Sequence, residues 1–203
     1  LGGVEPNVTE RDGARATALH YAAKGGELLL LRFLLDNGAR VDSTTGSGET
    51  PLAWAMANNN PDCALALMDR GANINHCDDS GSSVAFSAAP FAASLHCLAK
   101  RGVDLTALNA EKQTLLHIAT KSGTHSKSAW AAVLYLAENT QIDFNATDAN
   151  QRTALHYACE KGDLNAVKAL MVKGARANIP DAAGKTALQV PRVTGEIRRA
   201  HRA

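Results

Sequence analysis

A short motif recurs along this chain at nearly constant spacing, and it constrains the fold more than any other feature. Each copy opens with a threonine or serine followed by two small or apolar residues. The copies begin at Thr17, Thr50, Ser83, Thr114, Thr153 and Thr186. The steps between them are 33, 33, 31, 39 and 33 residues. Self-similarity at a period of roughly 20–50 residues is the signature of stacked repeat proteins. The sequence therefore predicts an array of similar units and not one central core.

Two further markers keep the same register. The first is a glycine that follows the threonine or serine by 21 residues, or by 19 in the third copy, at Gly38, Gly71, Gly102 and Gly174. The second is a polar residue eight positions before the next copy, at Asp42, Asn75, Thr106, Asn145 and Asn178. The short step is therefore a two-residue deletion, and the long step contains a six-residue insertion near residues 123–128.

These motifs resemble the ankyrin-repeat family. The resemblance rests on the tetrads that begin at Thr17, Thr50, Thr114 and Thr153, on the Gly-Ala signals, and on a glycine nine residues after the threonine in three copies. It covers nearly the entire chain. It implies an all-α repeat fold, an ankyrin-repeat solenoid with a helix-turn-helix and a β-hairpin loop in each repeat. Such a fold says little about activity.

We expect a single ankyrin-repeat array over residues 1–203, and we place its boundaries from the motif register. Residues 1–16 match the end of a preceding repeat or an N-terminal hairpin, which suggests that the chain begins inside an array. The later segments are repeats 17–49, 50–82, 83–113, 114–152 and 153–185, and a partial capping repeat at 186–203. The third repeat is irregular, because Pro90 lies inside its first helix and should end or kink that helix early.

The residue types predict distinct roles within a repeat. Thr or Ser should cap the first helix, which is thin because it is rich in alanine. The second helix should bury larger side chains, in the first repeat Leu28, Leu30, Leu31, Phe33, Leu34 and Leu35. The resemblance implies that the motif histidines bridge to backbone in the neighbouring turn, and these are His20, His117 and His156. Lys112 and Gln151 replace the expected turn glycine, so those turns are either strained or of another type.

Composition narrows the class of protein. With 21 basic and 20 acidic residues, the net charge is +1, which argues against nucleic acid as a partner. No apolar run reaches the roughly 18 residues that a membrane span needs. We expect a cytoplasmic monomer, with nuclear or peripheral-membrane association as the alternative. Of the four cysteines, Cys63, Cys97 and Cys159 should be buried and Cys77 exposed.

No catalytic motif stands out, and the motif histidines lie one per repeat and do not converge, so we expect no enzyme, no cofactor and no metal. The leading prediction is a scaffold that binds a protein or peptide through the concave face of the array. The predicted contact residues are Tyr21, Lys24, Trp54, Asn58, Phe91, Lys121, Tyr157 and Lys161. For the aromatic residues among them, packing in the core is the alternative interpretation.

Three other interpretations stay open. The chain could be the regulatory or targeting array of a larger enzyme, channel or membrane-trafficking protein. The resemblance also implies that Asn75 and Asn178 are candidate substrates of an asparaginyl hydroxylase. A basic C-terminal patch could be a solvated cap or could bind an acidic partner, nucleic acid or a lipid head group. That patch comprises Arg192, Arg198, Arg199 and Arg202.

Overall fold

The computed structural model describes residues 5–9, 13–122 and 127–190, with only the backbone of 127–129. Over these ranges the fold consists of paired helices. They are α1 (Ala18–Gly25), α2 (Leu28–Asp36), α3 (Pro51–Ala57), α4 (Pro61–Asp69), α5 (Val84–Ala88), α6 (Ala92–Lys100), α7 (Leu115–Ser122), α8 (Lys127–Asn139), α9 (Ala154–Lys161) and α10 (Leu164–Val172). A 3-10 turn follows at Ala187–Gln189. In the described part of the chain the extended hairpins contain only isolated β-bridges and no strand. The all-α repeat prediction is confirmed.

The chain divides into two compact units. The first comprises Leu1–Ala88 and His96–Val103, and the second comprises Ala89–Leu95 and Asp104–Ala203. In the first unit α3 packs between α1 and α5, and α4 packs on α2. In the second unit α7 packs on α9 and α8 packs on α10. Each unit thus stacks first helices on first helices and second helices on second helices.

The first helices begin and end as their sequences predict. The hydroxyl of Thr50 accepts a hydrogen bond from the N–H of Ala53, and Pro51 occupies the first helical position, where no N–H is required. The left-handed residues Gly26 and Gly162 follow α1 and α9 with φ of 72° and 73°. These glycines turn the chain directly into the second helix, because a left-handed residue costs least when it has no Cβ.

Small side chains form the contact between first helices. Ala22, Ala55, Ala119 and Ala158 are each at most 1% exposed. Leucines in the same helices, such as Leu19 and Leu155, are fully buried. Alanine lets neighbouring helix axes approach closely, so the core needs few large rings. This packing agrees with an aromatic content of 4%.

The prediction for the second helix of the first repeat is wrong in part. Leu31, Leu34 and Leu35 are buried as expected, but Leu30 and Phe33 are 47% and 51% exposed. The residues that occupy their positions in α4 are buried, Cys63 at 1% and Ala66 at 8% exposed. The difference arises because α2 lies beside α4, whereas the described residues include no second helix on the other side of α2.

The irregular positions have local physical causes. Helix α5 has five residues and ends at Ala88, two positions before Pro90, as predicted. Lys112 and Gln151 both have φ of 58°, the left-handed conformation that Gly184 adopts at the same place in its hairpin. The first of the two alternatives for these turns, strain, is therefore correct. The insertion lengthens α8 to 13 residues, against nine in α10, and its residues 123–126 lie outside the described ranges.

Candidate partner-binding surface

The motif histidines bridge to the backbone of the turn directly before the next repeat, as the resemblance implied. The ring Nε2 of His20 lies 3.1 Å from the carbonyl oxygen of Glu49, and its Nδ1 accepts the N–H of Thr17 at 3.1 Å. His117 and His156 repeat this arrangement on the carbonyls of Arg152 and Lys185. Nε2 therefore carries the proton and donates it, and Nδ1 is the acceptor. Burial lowers the pKa of all three rings, although the hydrogen bonds to the carbonyls oppose the shift. Both nitrogens of each ring are thus used in holding the fold.

In the first unit, Trp54 is the centre of a cluster of predicted contact residues. Its indole Nε1 donates to a carboxylate oxygen of Glu49 at 3.0 Å. The ring of Tyr21 meets it edge to face at 5.5 Å, and the ammonium of Lys24 lies 5.4 Å from its centre. Tyr21 is 43% exposed and Trp54 is half-buried. The cluster therefore presents part of two aromatic rings and one cation to solvent.

In the second unit, Tyr157 occupies the position of Trp54 but lies deeper. Its ring is 7% exposed, and its hydroxyl donates to a carboxylate oxygen of Asp148 at 2.6 Å. The guanidinium of Arg152 covers the ring at 4.2 Å from the centre, and the ammonium of Lys121 lies 5.9 Å away. Packing in the core, the alternative for this residue, describes Tyr157 better than an exposed anchor does.

The pKa shifts of Tyr157 and Asp148 explain how the buried Tyr157 hydroxyl lies beside the Asp148 carboxylate. Burial, and then the hydrogen bond to Asp148, raise the pKa of Tyr157 to about 12. Burial alone would raise the pKa of Asp148, but hydrogen bonds from Tyr157, Arg152 and Asn150 outweigh burial and lower it. Asp148 is thus an ionised carboxylate and Tyr157 a neutral donor at neutral pH. Arg152 also pairs with Glu160 at 2.6 Å.

The two clusters share one geometric rule. In each, a lysine seven residues after the motif threonine lies over an aromatic ring four residues after the next motif threonine. The rule joins Lys24 to Trp54 and Lys121 to Tyr157. Both lysines are exposed. The repeat register therefore fixes a solvent-facing ammonium at the same place in each unit.

The remaining predicted residues fall outside these clusters or on their margin. Asn58 is exposed and donates its amide to the carbonyl of Trp54 at 2.8 Å, and Lys161 is exposed at the end of α9. Phe91 is half-buried just before α6. The basic residues Arg192, Arg198, Arg199 and Arg202 lie outside the described residues.

Sequence reasoning missed the residues that anchor the rings. Glu49 and Arg152 directly precede a motif threonine, and Asp148 lies five residues before one. The same two pre-threonine residues supply the carbonyls that receive His20 and His117. Comparing the residue directly before the motif threonine across the repeats would have pointed to Glu49 and Arg152.

The cysteines are placed as predicted. Cys77 is exposed, whereas Cys63, Cys97 and Cys159 are buried. Burial raises the pKa of the Cys63 and Cys97 thiols, and it raises that of Cys159 to about 12. Across the described ranges no group of three or more His, Cys, Asp or Glu could hold a metal ion. The described residues also contain no helix long and apolar enough to cross a membrane.

The sequence of this chain matches segments of longer known proteins. The sequence is 33% identical over 109 residues to the E3 ubiquitin-protein ligase KEG of Arabidopsis thaliana, a match covering 51% of this chain and 7% of that protein. It is 33% identical over 121 residues to the B-cell lymphoma 3 protein homolog of Mus musculus, a match covering 58% of this chain and 27% of that protein. It is 42% identical over 67 residues to the ARF GTPase-activating protein Git of Drosophila melanogaster, a match covering 33% of this chain and 9% of that protein. The chain thus spans less than a third of the length of each of these relatives.

A family model of three copies of ankyrin repeats matches residues 1–78 and 85–181. The matched ranges contain the bridges made by His20 and His117 and the helix pairs α1–α4 and α7–α10. Ankyrin repeats are protein-interaction modules. Sequence, fold and family model agree, and this chain belongs to the ankyrin-repeat family.

Proposed function

We propose that this chain binds a protein or peptide partner through the face on which the first helices of its repeats end, the face expected to be concave. The observation that carries this proposal is the placement of a lysine over an aromatic ring in both units, Lys24 over Trp54 and Lys121 over Tyr157. A ring under an ammonium restricts where the long lysine side chain can go, so less conformational entropy is lost when a partner is bound. Carboxylates on the partner are the natural complement of these cations.

Each unit offers its own set of contact residues. In the first unit, Tyr21 and Trp54 also offer partly exposed ring surface, which is a common anchor in protein interfaces. In the second unit, Tyr157 supports Lys121 from below, and the exposed groups are Lys121 and Lys161. We therefore assign apolar contacts to the first unit and charge contacts to both.

A charge-reversal experiment tests the proposal. The test variant changes Lys24, Asn58, Lys121 and Lys161 to Glu. The matched control changes the exposed residues Arg32, Arg40, Ala93 and Lys100 to Glu, which alters net charge by the same amount elsewhere. Partners captured by the wild-type chain are identified by mass spectrometry, and their affinities are measured after purification. Loss of binding in the test variant alone supports the proposal, and equal binding by both variants contradicts it.

The context of this surface is a second part of the proposal. Because the relatives are multidomain proteins of which this chain spans only a small share, we propose that the array acts as the targeting or regulatory part of a larger protein. The complete reading frame tests this directly. Further domains in the frame support it, and start and stop codons that bound this stretch contradict it.

A modification is proposed for the hairpins. Asn75 and Asn178 are exposed in the extended segments between repeats. Asn145 in the equivalent position donates its amide to the carbonyl of Gly174 and accepts the N–H of Arg176, so it is held in place. We expect an asparaginyl hydroxylase to modify Asn75 and Asn178 before Asn145, with molecular oxygen as oxidant and a 2-oxo acid co-substrate that takes up the second oxygen atom as it is oxidatively decarboxylated. Peptide mass spectrometry that finds no added oxygen on either residue after enzyme treatment contradicts this.

A further inference from the structure

A groove between α8 and α10 in the second unit presents apolar side chains to solvent. The groove is open to solvent and has a volume of about 290 Å³. Trp130, Leu134, Ala169 and Val172 supply its apolar lining, and Lys168 and Lys173 also line it. Trp130 is 42% exposed and Val172 is 84% exposed. Large apolar side chains are thus presented to solvent beside two cations, with no acidic side chain in the lining.

The repeat register shows that stacking does not require these apolar residues. Trp130 occupies the position of Asp163, which caps α10 with its carboxylate, and of Glu27 before α2. Val172 occupies the position of Asp36 and Asp69. Val172 is therefore apolar at a position that is polar in the other repeats, and Trp130 is apolar at a position that is polar in all of them except the third, where Phe91 occupies it. The insertion contributes as well, because it lengthens α8 and places Trp130 inside the helix.

The register also explains why Lys173 forms no ion pair among the described residues. In the first unit Arg70 pairs with Asp36 and Arg101 pairs with Asp69, each across neighbouring second helices. Lys173 occupies the arginine position, but the residue opposite is Asn139, whose amide donates to the carbonyl of Tyr135. Among the described residues no carboxylate lies within ion-pair distance of Lys168 or Lys173. The nearby Asp163 uses one carboxylate oxygen to cap α10.

We propose that this groove binds a short segment of a partner protein that carries apolar side chains flanked by aspartate or glutamate. The apolar side chains fill the space beside Trp130 and Leu134, and the acidic side chains pair with Lys168 and Lys173. Because Asn139 stands where the first two repeats have aspartate, Lys173 is left to pair with an acidic residue of the partner. The proposal is independent of the surface that contains Lys24 and Lys121, since none of those residues lines the groove.

A charge-swap experiment with defined probes tests the proposal. The probes are two fluorescent synthetic peptides with identical apolar residues spaced one helical turn apart, one flanked by glutamates and the other by lysines. Fluorescence anisotropy measures their binding to the wild-type chain, to the double variant K168E and K173E, and to a control with Lys100→Glu and Lys185→Glu. Trp130→Ala tests the apolar part.

The charge swap distinguishes the outcomes. We expect the acidic peptide to bind wild type and control equally, and to bind the K168E and K173E variant at least about tenfold more weakly, which corresponds to about 1.4 kcal/mol. The basic peptide should show the reverse preference, and Trp130→Ala should weaken both peptides. Failure of both peptides to bind, or binding of the acidic peptide that the swap leaves unchanged, overturns the proposal. Concentration-dependent self-association in sedimentation velocity that Trp130→Ala abolishes would assign the groove to a second copy instead.

Discussion

The ammonium of Lys24 lies 5.4 Å from the centre of the Trp54 ring, although the two residues belong to different repeats. The same relationship joins Lys121 to Tyr157 at 5.9 Å. Each lysine lies near the end of a first helix, and each ring lies in the following first helix of the same unit. The contact therefore couples the packing of neighbouring first helices to the charge on the surface. A substitution that alters the packing also alters the surface charge, and the reverse holds as well.

Replacing Lys24 by methionine should lower the free energy of unfolding by about 0.5 kcal/mol, since a cation–π contact at an exposed site contributes about that much. Urea denaturation followed by circular dichroism measures the change. In a double-mutant cycle with Trp54→Leu, the Lys24→Met effect should disappear. Lys161→Met is the matched control, because Lys161 is exposed and lies over no described ring. Equal effects of the two lysine substitutions would contradict the prediction.

Replacing Tyr157 by phenylalanine should destabilise the second unit by about 1–3 kcal/mol, because it leaves a buried carboxylate oxygen of Asp148 without its donor. Asp148→Asn should also destabilise, since Asp148 accepts two backbone N–H groups as a carboxylate. The double variant should cost less than the sum of the single changes. Denaturation of the four proteins of this cycle supplies the coupling energy, and strict additivity would show that the hydrogen bond contributes nothing.

The buried histidines should make stability depend on pH. Burial lowers the pKa of His20, His117 and His156 below the ordinary 6.5, so the unfolded chain binds protons before the folded chain does. Their full contribution is present above pH 6.5 and is lost as pH falls through the folded pKa values. The urea midpoint should therefore be lower at pH 5.5 than at pH 7.5 (about one unit on either side of the ordinary value).

The chain offers its own control for this effect. Gln189 replaces histidine in the last motif, and its side-chain oxygen accepts the N–H of Thr186 at 3.0 Å, as Nδ1 does elsewhere. His117→Gln and His156→Gln should keep that hydrogen bond and lose the titration. Their urea midpoints should change less between the two pH values than the wild-type midpoint does. An unchanged pH dependence in the double variant would assign the effect to other groups.

The repeat pattern predicted which residues cap, bridge and turn, because those roles depend on contacts within one repeat or with the next. It could not separate Trp54 from Tyr157, which share a motif position. The structure separates them because Glu49 holds Trp54 near the surface, whereas Asp148 and Arg152 enclose Tyr157. The pattern also could not show that Leu30 is exposed, because burial there depends on the helix that lies beside α2. In these cases the neighbouring repeat, and not the residue type at the position, determines how exposed the side chain is.

Leu30 and Cys63 occupy the same repeat position, and this allows a direct test of that conclusion. Leu30→Glu should change the free energy of unfolding by less than about 1 kcal/mol, because the side chain is 47% exposed. Cys63→Glu should cost about 3 kcal/mol or more, because it places a charge where the side chain is 1% exposed. Urea denaturation measures both. Similar losses would mean that Leu30 is covered in solution.

The left-handed turn at Gln151 should be a removable source of strain. Its φ of 58° is unfavourable for a residue with a Cβ, and Gly184 adopts a φ of 74° at the same hairpin position. Gln151→Gly should therefore raise the free energy of unfolding by about 0.5–1 kcal/mol, after the greater flexibility of glycine in the unfolded chain is included. Gly184→Ala is the reciprocal control. A Cβ at Gly184 meets no atom within 4 Å, so any loss of stability reports backbone conformation alone. Opposite shifts of the two urea midpoints are expected, and a loss of stability in Gln151→Gly would show that the glutamine side chain stabilises the turn by more than its strain.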